Sequence, residues 1–385
     1  IDMHPRIEVT IDGKAVAGAF YERLVSITVT DKEGITSDTV DIELNDGPPS
    51  FLSIPRKGAI IDVKLGYGAL RSLGQFTADK VTCKCLPYSM SISGKAADLR
   101  SGKLKEPQER HWDKKKLKDI IGEIASESGL SASVDSEIGN FEYEWLAQQD
   151  ESNTQFLRRL EKRHNGLFAI KNKKLIFAKR GSGLSAGGLF GGSVVVTPAI
   201  IINGSCSFEA NDRTKYSKVV AYHQDKDKAE RVEIEADADA DGDSVYRIPE
   251  PFANVAEADK AAQAKAKDLK RGEGAVSVTV VGDTGISAGA ALLFSGVRPG
   301  LDGAPYIIDT ATHTFSKAGY TTQISGKLYD GKSGSGSGTG NGAAANEGGA
   351  DAAADKVAPN SSEGTPATPS TWNDTIRNTR LPGRV

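Results

Sequence analysis

The sequence predicts a mainly β fold with an α+β insert, in which two β-rich units flank a helix-bearing segment and a low-complexity tail follows. Three observations carry this. Apolar and polar residues alternate over the first hundred residues and again after Ser193. The period becomes helical in between. Beyond Lys332 branched aliphatics almost vanish.

In the first unit Ile7, Val9 and Ile11 alternate with polar neighbours, as do Val25, Ile27 and Val29, then Val40, Ile42 and Leu44. Period-two alternation turns one face of each strand to a core and the other to water. Asp12-Gly13 signals a tight hairpin, and Asp46-Gly47-Pro48-Pro49 a sharp break. Further strands are expected over 59–66, 74–81 and 88–96, a spacing that suits a barrel or a sandwich.

In the middle, Leu117, Ile120, Ile121, Ile124 and Ala125 form a helical stripe that Gly129 stops. Ser152 with Gln155 three residues on forms a capping box for a second helix, which turns Phe156, Leu157 and Leu160 inward and ends near Gly166. A hairpin follows, Phe168–Ile170 and Leu175–Phe177, turning at Asn172-Lys173.

Strands return over 194–197, 204–210, 217–223 and 229–235. One Ala/Lys-rich helix interrupts them, capped by Asn254 with Glu257 at its third position and stopped by Gly272. Val276, Val278 and Val280 then alternate, 290–294 is apolar, and a final pair of strands, 306–314 and 320–328, turns near Lys317. From 332 to 371 the chain is mainly Gly, Ser, Ala, Asn and Thr. It cannot bury enough surface to offset its entropy, so a flexible tether is expected. Past it, Trp372, Ile376, Arg377, Arg380 and Leu381 form an aromatic, aliphatic and cationic cluster suited to a docking peptide, the alternative being a frayed end.

Composition narrows the function. Lys and Arg total 48 against 51 Asp and Glu, so no basic excess points to specific nucleic-acid binding. Lys114-Lys115-Lys116 reads as the solvated start of the first helix. Cys83, Cys85 and Cys206 are an odd set without metal or disulfide spacing, which suits a reducing cytoplasm as the place of assembly. No run of apolar residues is long enough for a membrane helix.

The search for chemistry yields no catalytic constellation and no cofactor motif. His4, His111, His164, His223 and His313 are scattered. His164 closes a helix, where the dipole favours a cation. Gly331-Lys332-Ser333 lacks the upstream glycine of a phosphate loop. The acidic run from Glu233 to Asp243 offers weak metal candidates, Asp237, Asp239 and Asp241 with Glu250. Neither calcium-loop register is complete: one puts Ile248 at the twelfth position, the other puts Ser244 where Gly is required. A solvated acidic loop is the preferred reading.

Several blocks, in order and spacing over about residues 5 to 330, resemble the late control gene D family, the baseplate hubs of contractile phage tails and R-type pyocins. They are Leu24-Val-Ser-Ile-Thr-Val-Thr-Asp31, Ser37-Asp-Thr-Val-Asp-Ile-Glu-Leu44 and Gly94-Lys-Ala-Ala-Asp-Leu-Arg100. Leu52–Gly58 leading into Ile61–Gly66, Lys103-Leu104, Glu109-Arg-His-Trp112, Gln149-Asp-Glu-Ser-Asn-Thr-Gln-Phe-Leu-Arg-Arg-Leu160, Lys173-Lys-Leu-Ile-Phe177, and Tyr306–Thr314 with Thr321–Leu328 complete the series. The resemblance implies a fold similar to the hub part of type VI secretion spike proteins. Two tail-tube-like β-barrel domains, 1–98 and 193–331, would flank an insert domain, 99–192; the acidic loop, the tether, 332–371, and the docking peptide, 372–385, are read from the residues alone and depart from the family's pattern.

It further implies a structural, non-enzymatic homotrimer in the virion tail baseplate. Such a trimer would adapt a sixfold tail tube to a threefold spike. Tail tube, spike, tape-measure and baseplate wedge proteins would be its partners, with no membrane and no cofactor. The alternatives are a type VI-like spike component and a hub with cell-wall-hydrolase activity.

Overall fold

Strand formation at the N-terminus follows the alternation read above. The computed structural model describes residues 4–33, 38–96, 102–171, 173–180, 193–210, 216–225, 230–238 and 242–329. Strands β1 (Pro5–Ile11) and β2 (Lys14–Ala15) turn at Asp12 and Gly13, with φ of 50° and 75°, the doubly positive pair that a two-residue hairpin needs. A short helix α1 (Gly18–Arg23) leads into β3 (Leu24–Lys32), β4 (Thr39–Asn45), β5 (Ile60–Tyr67), β6 (Arg71–Lys84) and β7 (Ser89–Ala96). Val40, Ile42 and Leu44 point into a core shared with Ile27, Ile61, Phe76 and Ile92. Cys83 and Cys85 are exposed.

The insert begins with β8 (Pro107–Lys116), so Lys114 to Lys116 end a strand, and α2 (Leu117–Glu127) starts only after them. Then come β9 (Ser131–Val134), α3 (Ser136–Gly139), β10 (Glu142–Ser152), α4 (Asn153–His164), β11 (Gly166–Lys171) and β12 (Lys174–Lys179). The expected stripe of α2 is buried, and Gly129 follows it with φ 72°. Both bonds of the Ser152–Gln155 capping box are made, and Asn165 ends α4 in the left-handed conformation. Phe156, Leu157 and Leu160 lie in one core with Trp112, Ile120 and Phe177. The β11–β12 hairpin is covered on both faces, because Leu167, Ala169, Ile176 and Ala178 form a second buried layer.

The remaining elements are β13 (Val194–Val196), β14 (Ser207–Ala210), β15 (Lys218–Asp225), β16 (Glu230–Asp237), β17 (Val245–Phe252), α5 (Val255–Arg271), β18 (Gly274–Val281), β19 (Ala291–Phe294), β20 (Tyr306–Ser316) and β21 (Gly319–Leu328). Asn254 caps α5 by accepting from the Glu257 amide. The alanine face of α5 covers the sheet β16-β15-β17, meeting Val219, Ala221 and Phe252. Val276, Val278 and Val280 enter a separate core with Leu292, Tyr306 and Ile324.

One sheet joins the two β-rich parts. Its order is β14-β18-β21-β20-β3-β4-β7-β6-β5-β1-β2, with β19 also on β20 and β13 on β19. The seam is an antiparallel pairing of β3 with β20, in which Ile27 faces Phe315, Val29 faces His313 and Asp31 faces Ala311. The pairing path is open at β14 and β2, so among the described residues it closes no barrel. The two parts keep separate apolar cores while sharing a backbone ladder.

Candidate functional site: the junctions between parts

Three segments far apart in sequence meet at one charge cluster. Glu33 follows β3, Arg180 follows β12, and Arg271 ends α5. Arg271 Nη2 donates to Glu33 Oε2 at 3.0 Å, and Arg180 pairs with the other Glu33 oxygen. Glu161 on α4 stands 3.9 Å from Arg180 Nη2 and accepts from the Phe168 amide at 3.1 Å. All four side chains are between 9% and 13% exposed. Burial raises the Glu161 carboxyl above its usual range and lowers the Arg180 guanidinium, with Glu33 opposing the latter shift. Two cations against two carboxylates compensate each other, and loss of any one leaves a buried charge unpaired.

Around the seam, the Ala288 amide donates to Asp31 at 3.0 Å, and the Tyr67 ring stacks on Tyr320 at 5.9 Å. His313 is buried within hydrogen-bond distance of Tyr320 Oη, Thr322 Oγ1 and the Ile286 carbonyl. Those bonds fix β20 against β21 and the loop before β19, so the role of His313 is structural.

His164 corrects the expectation of a cation at a helix end. It is buried, its Nε2 lies 2.6 Å from Tyr143 Oη, and its Nδ1 meets no hydrogen-bond partner among the described residues. Burial, reinforced by Lys260 and Arg163, pushes its pKa down to about 3, so it is neutral. Desolvation outweighs the helix dipole here.

The acidic run does not assemble into a metal centre among the described residues. Asp237 is exposed at the end of β16, and Asp239 and Asp241 lie outside the described residues. Asp237 pairs at Lys218, whereas Pro251, next to Glu250, pairs at Tyr222, four residues along β15 and one strand beyond. At about 3.3 Å per residue Glu250 is therefore on the order of 12 Å along the sheet from Asp237. The neighbouring acids have cationic partners: Glu235 meets Lys218 at 2.8 Å and Glu233 meets Arg247 at 2.8 Å. Trp372, Ile376, Arg377, Arg380 and Leu381 also lie outside the described residues.

Sequence reasoning missed the charge cluster, because nothing local marks Glu33, Arg180 and Arg271 as neighbours across separations of 147 and 238 residues. It also missed β17, whose Pro249 and Pro251 argue against a strand. An edge position tolerates them.

The described residues thus form a mainly β architecture with one long shared sheet and a buried charge cluster between its parts. A family model for the phage tail baseplate hub (GPD) matches residues 67–319, and the chain belongs to that family. The probable baseplate hub protein of Escherichia phage P2 is 28% identical over 360 residues, covering 83% of this chain and 92% of that protein. Its counterpart in Escherichia phage 186 is 26% identical over 367 residues, covering 85% and 94%.

Among solved structures, the 43 kDa tail protein of prophage MuSo2 from Shewanella oneidensis superposes with a TM-score of 0.64 at 16% identity, covering 84% of this chain and 98% of that one. The tail protein from Neisseria meningitidis MC58 gives 0.61 at 13%, covering 85% and 97%. An Escherichia coli component of the type VI secretion system, described as structurally similar to the T4 tail proteins gp27 and gp5, gives 0.50 at 13%, covering 84% and 77%. At these identities the structures show a shared fold.

Proposed function

We infer that this chain is the central hub of a phage tail baseplate, or of a related tail-like particle, and works as a homotrimer without enzymatic activity. The units 1–98 and 193–331 act in this reading as two tube-like β domains, so three chains present six such units to a tail tube while keeping threefold symmetry toward a spike. The observation that supports it is the β3–β20 seam, through which a single hydrogen-bonded sheet runs across both β-rich parts. Repetition of such a joined pair by a threefold rotation closes a ring with heterologous contacts. The tether, 332–371, and the cluster from Trp372 to Leu381 would let the hub engage a further baseplate protein.

Sedimentation equilibrium tests the trimer. The expected mass is three times the chain's 40.7 kDa, about 122 kDa, with threefold particles by electron microscopy. A protein that stays monomeric at high concentration and binds neither spike nor tube protein defeats this reading. Zymography on bacterial cell walls should show no clearing.

A further inference from the structure

A groove of about 510 Å³ runs between α4 on one side and β17 with α5 on the other. A second cleft of about 390 Å³ continues it past Arg163 and Phe252 toward β10, where Trp145 is 50% exposed. The floor is apolar: Tyr246, Ile248, Phe252 and the small side chains Ala261 and Ala264.

The walls carry charge of one prevailing sign. Six cationic side chains line the main groove against three carboxylates. Most of the charges are committed. Arg159 pairs with Glu151, Arg180 with Glu33 and Glu161, and Lys265 with Asp268. Arg163 lies over the Phe252 ring, 5.7 Å from its centroid. Arg158 and Lys162 are exposed, one helical turn apart on α4, and among the described residues neither meets a carboxylate within ion-pair distance. The groove therefore combines an apolar floor with a rim at which Arg158 and Lys162 make no ion pair among the described residues, Glu250 of β17 being a carboxylate on the opposite wall.

Two features decide what form of chain fits. Along α4 the groove extends from Gln155 to Asn165, roughly 15 Å at about 1.5 Å per residue, enough for nearly three turns of a helix. On the opposite wall β17 is an edge strand, but Pro249 and Pro251 remove two of its amide donors, which works against addition of another strand. A floor with alanines at its α5 side admits close approach of a helix.

We propose that this groove is a docking site for an amphipathic helix of another protein, one that lays an apolar stripe on Tyr246, Ile248 and Phe252 and sets carboxylates against Arg158 and Lys162. Apolar anchoring gives affinity and the charged rim gives orientation and rate. The proposal stands apart from the trimer reading, because peptide binding and assembly mass are separate measurements.

The test uses the full chain and a displayed library of helical peptides of about 14 residues, long enough to carry i, i+3, i+4 and i+7 anchors over about two turns with nearly a turn to spare at each end. Recovered peptides should carry Asp or Glu flanking an apolar stripe. Their affinity, read by fluorescence anisotropy, should fall at least about tenfold for Arg158→Glu/Lys162→Glu and separately for Ile248→Glu, and should weaken with added salt. Both variants change partly or fully exposed side chains, and each is used only with an unfolding midpoint matching the parent. Recovery of no peptide, of peptides without an acidic excess, or of peptides that bind both variants as well as the parent overturns the proposal. So does displacement by single-stranded DNA at equal charge, which would make the groove a phosphate site.

Discussion

The two junctions of this molecule are built on opposite principles. At the β3–β20 seam the parts are joined by a backbone ladder flanked by Ile27, Val29 and Phe315. At the insert the side chains of Glu33, Arg180, Arg271 and Glu161, with little water to screen them, add a charge cluster to the packing of α4 against α5. A ladder uses groups that every residue carries, so it tolerates many substitutions. A buried charge cluster depends on each member, because the cost of an unpaired charge exceeds what the pair contributes. The seam's backbone pairing is thus less dependent on any one charge, and the charge cluster is the joint most sensitive to loss of a single ionised side chain.

Substitution at the cluster should have the largest effect. Glu33→Leu leaves two buried guanidiniums without their shared carboxylate, and a loss of about 3–5 kcal/mol is expected in denaturant unfolding. A comparable loss is not expected if Arg180 and Arg271 are replaced by Met in the same chain, which distinguishes unpaired charge from lost packing. Next comes the apolar core of the insert. Ile124→Ala, fully buried in α2, should cost about 2–5 kcal/mol by the same measurement, with the spread set by how far Trp112 and Phe156 can close the space.

Acid sharpens the comparison from another side. Between about pH 6.5 and 3 the unfolded chain takes up a proton at His164 that the folded chain refuses. The stability from this group is therefore fully present above about pH 6.5 and lost as the pH falls toward 3, at up to about 1.4 kcal/mol per unit. The cations Arg163 and Lys260 face the ring and deepen the effect, beside Tyr143 and Glu257. Glu161 and Glu257, raised by burial, act in the opposite sense, their contribution falling as the pH rises through their folded values. The difference between the parent and His164→Gln isolates the histidine, and the variant should show a flatter pH profile of urea unfolding. The smallest effect belongs to the α4 cap: Ser152→Ala should cost about 1 kcal/mol in the same assay.

The helices of the chain were more legible than the strands of the insert. The α2 stripe, the Ser152–Gln155 box and the Asn254 cap depend on residues three or four apart, so their bonds are local and a single segment contains both partners. Strands β8 and β10 carry charged or polar residues at most positions. Only Trp112, Tyr143, Leu146 and Gln148 among them turn fully inward, along with Ser152 at the strand end, which leaves little alternation to read. The histidine at the end of α4 was misread for a related reason. Its position on the helix is local, but its burial against β10 and α5 is not. For the groove beside α4 the residue types were visible, and their convergence from three elements was not.

What the sequence determined by itself was the set of elements with strong local period, the places where the chain turns, and the family that their order resembles. Period, capping and turn chemistry act over a few residues and survive in any window of the chain. Only the tertiary structure decided that β3 pairs with β20, that both β-rich parts share one open sheet, and that Glu33 meets Arg180 and Arg271. Alternation shows which face of a strand is buried but not which strand lies beside it. That choice is made by packing and desolvation summed over residues hundreds of positions apart.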